Sequence, residues 1–552
     1  MKQPPIARSD RVVTFLLFAL AWSPVVKAGP ENLLIERNAR PLLAEGSMEA
    51  LGPWETPLEG FFVRSHHNVL PALVDDSWAV SFEGLLKRPK KFQIRDLKKF
   101  KQVSFHAVLE CSGNGRALFT PQVGGIQWKR GAVGNAEWAG VKLADVIKDL
   151  GVNPDAAFVT AEGFDEPVMQ SDAKFVRSIP LKLLLETESI LAFAMNRQPL
   201  PVAHGGPVRL VMPGIYGQNW VKWVNRLSFS KEPDHRMYAK KAYRMPEKPV
   251  QPGEAWDPVK NGKPVEYIKV QTIFTSPANG QAVAPGQVTL RGKAFSGAGP
   301  ITKVEVSTDN GKSWKDAKLG APRDYAWQEF EASLEVKEGR SYEALARATD
   351  AKGNVQPMTQ EWNPKGYLYN AVDRISFKGD SKGALLAEGE SLASEHCLTC
   401  HSLGIATGQR LELKEWKKTV RKMSDYGLVL SDDVADKIAG YFASKYPPGT
   451  LVDDSDRVEI SANPSTLVKG VQKSGDARRG KMLFAQHCAA CHQNASKDVR
   501  RVGPLLHGRM ITDAVFWSTV MNGKRTMPPF KDVLSSVQMA DIRTWLQKPS
   551  AK

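Results

Sequence analysis

Cys397-Leu-Thr-Cys400-His401 and Cys488-Ala-Ala-Cys491-His492 decide how the last third of this 552-residue chain folds. Each stretch has the C-x-x-C-H spacing of a covalently attached haem, in which two thiols form thioether bonds and the adjacent histidine binds the iron. A zinc half-site or a redox dithiol would use the same cysteines, but a histidine after both pairs favours haem. We therefore predict two c-type haems, with His401 and His492 as iron ligands.

The second axial ligand of each iron is predicted to be a methionine sulfur. Met423 is the only methionine between His401 and the second haem segment, and it shares a helical face with Trp416 and Val420. Met527, within Thr-Met-Pro-Pro, is preferred among several candidates because the prolines stiffen an extended loop. A buried methionine more often fills a core, so core packing is the alternative for both residues.

The apolar spacing after Lys382 is helical. Ser431 is placed to cap one helix, and Ser535 with Gln538 forms a capping box before another. We predict two all-α cytochrome c domains, over 381–450 and 475–552. The stretch from Pro447 to Gly475 is rich in Pro, Ser, Gly and acidic residues, so residues 451–474 are predicted to be a linker.

The N-terminus has the pattern of a secretory signal peptide. Lys2, Arg8 and Arg11 precede a short apolar run, and Ala28 offers a small-residue cleavage site, which predicts a leader over 1–28 and a periplasmic protein. A membrane anchor is the alternative, but the run is short and no later stretch is long enough to span a bilayer. The formal charge of +16 suits an anionic substrate or an acidic partner better than a nucleic acid in an exported protein.

Two further domains are predicted before the haem segments. Residues 29–248 mix short apolar runs with helical stretches such as Leu143 to Leu150, which indicates an α+β domain. Residues 249–380 contain short strand-like segments separated by turn signals, such as Ile301 to Ser307 and Tyr342 to Thr349. This spacing predicts an immunoglobulin-like β-sandwich.

The fifth cysteine lies in Glu110-Cys-Ser-Gly-Asn-Gly-Arg116. This segment resembles the metal-binding loop of the sulfite oxidase family of molybdoenzymes, and separated motifs over about 30–375 follow the same order. The resemblance implies that Cys111 binds the molybdenum of a molybdopterin cofactor, and a soft thiolate suits that metal. A buried free cysteine that only packs in a core is the bland alternative.

The same resemblance implies roles for other residues. Catalytic roles, in substrate binding and proton transfer, are implied for Arg64, Arg116, Trp128, Tyr243 and Lys365. Contacts to the molybdopterin are implied for His66, Asp165, His204, Arg209 and Lys222. Lys365 is the least regular of these, because it stands in Trp362-Asn-Pro-Lys365-Gly where vertebrate members have arginine, so another cation is the alternative. Singly, each residue could be an ordinary core or surface residue.

By this resemblance the protein is expected to be a homodimeric periplasmic sulfite dehydrogenase. It would oxidise sulfite and pass electrons through two fused haems to a soluble cytochrome c or another periplasmic carrier. A sulfane-sulfur dehydrogenase and a reductase of sulfoxides or nitrate are alternatives within the same chemistry. A dihaem electron carrier with a non-catalytic N-terminal docking module is an alternative of another class. Arg8 and Arg11 are separated, so the choice between general secretory and twin-arginine export stays open.

Overall fold

A computed structural model describes residues 33–38, 41–67, 77–167, 173–397, 403–450, 484, 516, 520 and 536–546. The predicted signal peptide, the predicted linker over 451–474 and the predicted cap Ser535 lie outside these residues. Within the part of the chain that is described, no helix combines the length and the apolar character needed to cross a bilayer.

The N-terminal region is built on two five-stranded sheets and one small sheet. The small sheet runs β1 (Leu34–Asn38), β2 (Leu43–Gly46), β3 (Val63–Arg64). The first large sheet runs β5 (Lys90–Gln93), β4 (Ala79–Gly84), β13 (Val224–Ser230), β8 (Phe158–Gly163), β9 (Val176–Pro180). The second runs β11 (Gln198–Pro199), β10 (Ile190–Met195), β7 (Val133–Lys142), β6 (Gln102–Glu110), with β12 (Arg209–Val211) also paired to β10.

The helices of this region are short, so it is mostly β rather than evenly α+β. They are α1 (Met48–Leu51), α2 (Ile94–Leu97), α3 (Leu143–Leu150), α4 (Leu181–Glu186) and α5 (Met237–Lys240). The helix predicted over Leu143 to Leu150 is confirmed as α3, which ends at Gly151 with a φ of +67°. Helices α1 and α3 are followed directly by a glycine, Gly52 and Gly151.

The second region is a sandwich of two sheets whose strand pairs are antiparallel, apart from the parallel pair β17 and β24. One sheet runs β16 (Gln271–Ser276), β18 (Gly286–Phe295), β22 (Gln328–Val336), β21 (Lys318–Leu319). The other runs β17 (Gln281–Val283), β24 (Asp373–Gly379), β23 (Ser341–Asp350), β19 (Ile301–Ser307), β20 (Lys315–Asp316). A hairpin of β14 (Arg244–Pro246) and β15 (Gly262–Pro264) lies between this sandwich and the first region along the chain. The strand predicted over Ile301 to Ser307 is confirmed, and that predicted over Tyr342 to Thr349 is one residue longer at each end.

The chain then becomes helical, with α6 (Ser381–Cys397), α7 (Gly404–Thr407), α8 (Leu413–Lys422) and α9 (Asp432–Lys445). Helix α6 begins directly after β24, and the Ser381 hydroxyl donates to Glu338 of the sandwich at 2.7 Å. Ser431 caps α9 as predicted, because its Oγ accepts the Val434 amide at 3.3 Å. Of the predicted second haem domain, the structure describes mainly α10 (Ser536–Leu546), so two cytochrome folds stay a prediction.

Candidate active site

Strand ends of the first region converge on a cavity of about 60 Å³. Arg64 ends β3, Cys111 follows β6, Asp165 follows β8, and Arg209 begins β12. Because these strands come from all three sheets, residues far apart in sequence meet at one place. The lining residues are Phe62, Arg64, His66, Leu109, Cys111, Ser112, Asp165, Phe175, Ala203, His204, Arg209, Gly217, Gln218, Trp220, Lys222, Trp223 and Tyr243.

Hydrogen bonds hold the loop that presents Cys111. The Cys111 amide donates to the Ala132 carbonyl at 2.9 Å, and its carbonyl accepts the Asn114 amide at 2.8 Å. Asn114 ties the loop to β6 by donating to the Glu110 carboxyl at 3.0 Å. Gly115 is required here, because its φ is +80° and a Cβ would lie 2.6 Å from Tyr369. The thiol therefore sits on a fixed loop and is partly exposed to the cavity.

Basic side chains dominate the wall of the cavity that Cys111 also lines. Lys222 donates from Nζ to the Ser65 hydroxyl and to the Ala203 carbonyl, both at 3.0 Å. Arg209 donates to the His204 carbonyl at 2.8 Å and to the Trp220 carbonyl at 2.9 Å. Gly205 permits this packing, since its φ is +104° and a Cβ would lie 2.9 Å from Lys222. The motifs around His204 and Lys222 are thus adjacent in space.

Burial shifts the proton affinities of these groups. It lowers the pKa of His204 to about 3 and that of Arg209 to about 9, and it holds the pKa of Lys222 well below its ordinary range. Burial also raises the pKa of Asp165 to about 6. Desolvation opposes whichever form is charged, so basic groups lose proton affinity and the acid gains it. A bound anion would oppose this shift of the basic groups, because it favours their charged forms.

His66 and Tyr243 form a hydrogen-bonded pair inside the cavity, with 2.6 Å between His66 Nε2 and Tyr243 Oη. Burial, with nearby Arg64, keeps the pKa of His66 well below its ordinary value, so the ring is neutral and can accept from the phenol. Burial raises the pKa of Tyr243, so its hydroxyl keeps its proton. The pair therefore offers a proton donor beside a neutral base.

Eight of the predicted residues of this region line the cavity together: Arg64, His66, Cys111, Asp165, His204, Arg209, Lys222 and Tyr243. Arg116, Trp128 and Lys365 are not among the lining residues. Arg116 is buried behind the wall, where Nη1 donates to the Ile126 carbonyl at 2.9 Å and Nε donates to the Lys365 carbonyl at 3.1 Å. Trp128 is fully buried in the core, and Lys365 is exposed with its ammonium 5.9 Å from the Trp256 ring centroid.

Sequence reasoning missed several residues of this site. Phe175 stacks on His66 with 3.7 Å between ring centroids, and Arg177 lies over the Tyr243 ring at 5.1 Å. Tyr367 stacks on Tyr243, with 5.7 Å between the ring centroids. No motif marks these residues, because their contacts join segments far apart in the chain. An arginine inside an otherwise apolar strand, Phe-Val-Arg-Ser-Ile, was the one available signal.

The structure describes part of the predicted first haem site. Cys397 ends α6 and packs against a core that contains Trp416, Val420 and Phe442. Trp416 Nε1 is buried, and no acceptor among the described residues lies within hydrogen-bond distance of it. Met423 follows Val420 by one helical turn and is half-buried. The other predicted haem ligands and attachment sites lie outside the described residues: Cys400, His401, Cys488, Cys491, His492 and Met527.

Models of known protein families match three parts of this chain. An oxidoreductase molybdopterin binding domain matches residues 67–238, and a Mo-co oxidoreductase dimerisation domain matches residues 263–379. The model for cytochrome C oxidase, cbb3-type, subunit III matches residues 475–546. The cavity lies within the first of these matches and its flanking residues.

Sulfite oxidases are among the similar proteins. That of Arabidopsis thaliana is 31% identical over 378 residues, which covers 63% of this chain and 94% of the relative. The mitochondrial sulfite oxidase of Homo sapiens is 34% identical over 357 residues, which covers 61% of this chain but only 64% of the relative's length. The crystal structure of the sulfane dehydrogenase SoxCD from Paracoccus pantotrophus is 27% identical, with a TM-score of 0.54, and covers 66% of this chain and 88% of that one.

The predicted resemblance is thereby confirmed for the family and for the molybdopterin and dimerisation domains. Haem c is supported by the C-terminal match, and the count of two haems stays a prediction. With a relative matched over almost its whole length, this chain belongs to the sulfite oxidase family of molybdenum oxidoreductases and carries a cytochrome c domain at its C-terminus.

Proposed function

We propose that this protein is a periplasmic sulfite dehydrogenase that passes electrons through two fused haems to an external cytochrome c. The observation that carries the proposal is the cavity, which places the thiol of Cys111, the cations Arg64 and Lys222, and the phenol of Tyr243 around one space. A thiolate suits a soft metal, and the surrounding positive charge suits a small anion.

The residues of the cavity fit a molybdenum-pterin cofactor. Arg209 Nε and Ser112 Oγ are buried without a hydrogen-bond partner among the described residues, so polar groups remain for a ligand to satisfy. Cys111 would bind the metal, and His66, Asp165, His204, Arg209 and Lys222 would hold the pterin and its phosphate. When bound, this cofactor supplies oxygen transfer and accepts two electrons.

The chain's own residues would bind the substrate and move protons. Oxidation of sulfite to sulfate consumes one water and releases two protons and two electrons. Arg64 would attract and orient the anion through charge-assisted hydrogen bonds. Tyr243 would donate to the substrate oxygen, and neutral His66, 2.6 Å from its hydroxyl, would accept a proton released there. Arg116 and Trp128 would support this wall from behind, whereas Lys365 lies outside it and faces the Trp256 ring.

The two electrons would leave one at a time, because each haem takes one electron. Cys397, Cys400, His401 and Met423 would hold the first haem; Cys488, Cys491, His492 and Met527 would hold the second. The buried, unpartnered Nε1 of Trp416 suits a haem carboxylate. Methionine ligation would raise the haem potentials, so that they accept electrons from the first domain.

The proposed organisation follows the predicted boundaries. A leader over 1–28 precedes a catalytic domain over 29–248 and a dimerisation domain over 249–380. Cytochrome c domains over 381–450 and 475–552 flank the linker over 451–474. The match to a Mo-co dimerisation domain supports a homodimer, and the C-x-x-C-H motifs support a location outside the cytoplasm.

Sulfane-sulfur oxidation is the second candidate, supported by the likeness to a sulfane dehydrogenase structure at a TM-score of 0.54. A dihaem carrier with a non-catalytic N-terminal module is less well supported, because docking requires no buried cavity that combines a thiol with several cations. Nitrate or sulfoxide reduction is also less well supported, since high-potential haems accept electrons more readily than they supply them.

Steady-state turnover tests the proposal. Purified protein with measured molybdenum and haem contents is supplied with sulfite or thiosulfate, and reduction of added cytochrome c is followed. We expect sulfite to be the better substrate by kcat/KM, and Cys111→Ala to abolish turnover while haem content is retained. Turnover with thiosulfate and none with sulfite would reject sulfite as the substrate. Full activity of Cys111→Ala would reject the cavity around Cys111 as the active site.

A further inference from the structure

One short segment lies beneath both members of the hydrogen-bonded pair of the cavity. Phe175 stacks on His66 with an interplanar angle of 20°, and Arg177 lies over the ring of Tyr243. Alternate residues of an extended chain point to the same side, so residues 175 and 177 form one surface. Phe175, directly before β9, and Arg177, within β9, thus contact His66 and Tyr243 from the same side of one segment.

Arg177 is held in a fixed orientation. It is only 4% exposed, its Nε donates to Asn219 Oδ1 at 3.0 Å, and its Nη1 donates to the Tyr238 carbonyl. Both acceptors are neutral, and no carboxylate among the described residues forms an ion pair with the guanidinium. Within the described part of the chain, the recorded partners of this charge are these dipoles and the face of Tyr243.

The arrangement continues beyond Tyr243. Its ring is nearly parallel to that of Tyr367, at 15° and 5.7 Å, and Arg116 lies over Tyr367 at 5.3 Å. Two stacked phenol rings are therefore each contacted by a buried arginine. A buried charge without a counter-charge is costly, so packing alone would favour an apolar side chain in place of Arg177.

We propose that Arg177 is a positioning residue for Tyr243, which strengthens the hydrogen bond that Tyr243 donates to an anionic substrate. A cation over an aromatic face draws electron density from the ring, and the phenol hydroxyl becomes a better donor. The negative charge of the substrate then compensates the charge of Arg177 across the ring. The inference deepens the proposed function and rests on it for the identity of the anion.

Other groups around Tyr243 do not replace this contact. His66 Nε2 is hydrogen-bonded to its hydroxyl at 2.6 Å, neither Tyr238 nor Cys111 brings a positive charge, and Arg64 lies on the cavity side. Among the described residues, Arg177 is the arginine recorded over the Tyr243 ring face. Its removal therefore changes the ring contact and leaves the cavity wall in place.

The test uses the holoenzyme with Arg177→Met, Arg177→Lys, Tyr243→Phe and the double variants. We expect Arg177→Met to lower kcat/KM for sulfite about ten-fold, mainly by raising KM, and Arg177→Lys to recover part of the loss. In the Tyr243→Phe background the same Arg177 substitutions should have little further effect, since the hydroxyl is already absent. Arg340→Met is the matched control, because Arg340 lies over Tyr342 at 5.5 Å in the sandwich.

Isothermal titration with sulfate separates this inference from the proposed function. If the wild type does not oxidise sulfite, the proposed function fails, and about a ten-fold loss of sulfate affinity in Arg177→Met still supports the role of Arg177. The inference is overturned if Arg177→Met matches the wild type in both measurements, or if its effect is fully additive with Tyr243→Phe. If Arg177→Met does not retain molybdenum, the comparison of Arg177→Lys in the two backgrounds decides.

Discussion

At the scale of single residues, two residues of the cavity have backbone conformations that residues other than glycine rarely adopt. Trp223 has a φ of +50° and Tyr243 a φ of +55°. Such conformations cost on the order of 1 to 3 kcal/mol each and persist where the surroundings fix them. Trp223 is fixed by donating to the Val202 carbonyl at 2.8 Å, and Tyr243 by its contacts with His66 and Arg177.

Replacement of Tyr243 by phenylalanine should reduce catalysis without loss of the fold. It removes one hydroxyl and keeps the stacked ring. We expect kcat/KM for sulfite to fall roughly ten- to hundred-fold, because one hydrogen bond to a charged group is lost. Steady-state kinetics with molybdenum-loaded protein measures the effect. Tyr325→Phe, at a partly exposed tyrosine outside the cavity, is the control; equal losses in both variants would count against the role of Tyr243.

His204 should make the fold sensitive to acid. Burial lowers its pKa to about 3, so the unfolded chain binds a proton that the folded chain excludes as the pH falls below about 6.5. Its contribution to stability is therefore present above pH 6.5 and is lost as the pH falls toward 3.

The unfolding free energy of the wild type should fall between pH 7 and pH 4. In His204→Gln we expect this fall to be smaller by roughly 2 to 5 kcal/mol. Urea unfolding at both pH values measures this difference. His235→Gln, at an exposed histidine, should follow the wild type. The same acid sensitivity in His204→Gln would mean that other groups cause it.

At the scale of elements, the spacing of apolar residues predicted the position of a strand or helix well where one face of that element is buried. Strand β19 and helix α3 have the predicted bounds, since period-two and period-3.6 spacing specify them. The balance of helix to strand in the first region was less predictable, because four of its five helices are only four to six residues long. The contacts of Phe175 with His66 and of Arg177 with Tyr243 were not predictable, because sheet topology brings those segments together.

The β-sandwich should depend on Phe330 of β22. The ring is 1% exposed, packs edge-on against Phe274 at 5.6 Å, and fills space that a Cβ at Gly292 would enter. Phe330→Ala should reduce the unfolding free energy by about 3 to 5 kcal/mol, as measured by urea unfolding. Val355→Ala, at a side chain that is 50% exposed, should change it little; a similar loss there would show that the core does not govern stability.

The end of α8 carries a prediction about the first haem. If Met423 binds the iron, Met423→His should lower the potential of one haem, since imidazole favours the oxidised iron more than a thioether does. Potentiometric titration followed by visible absorption measures this change. Met358→His is the control, at an exposed methionine of the sandwich. Unchanged potentials in Met423→His would assign the ligand elsewhere.

At the scale of the whole molecule, the order of the molybdopterin, dimerisation and C-terminal cytochrome c domains was predictable from motifs, and the assembly of the cavity was predictable only in part. Cys111 and His204 stand in motifs that contain the positive-φ glycines Gly115 and Gly205, and with Lys222 they line one cavity. Arg116, Trp128 and Lys365 stand behind or outside the wall, because spacing along a chain does not specify depth. Helix α6 joins the sandwich to the helical region without a long connection, since it begins two residues after β24.

Anaerobic mixing of the molybdenum-loaded protein with one equivalent of sulfite tests the proposed electron path most directly. The haem absorption bands are followed in a stopped-flow instrument, with Cys111→Ala of equal haem content as the control. We expect rapid reduction of both haems, because sulfite supplies two electrons and each haem accepts one, and no reduction in Cys111→Ala. Haems that stay oxidised in the molybdenum-loaded wild type would contradict electron transfer from sulfite to haem in this protein.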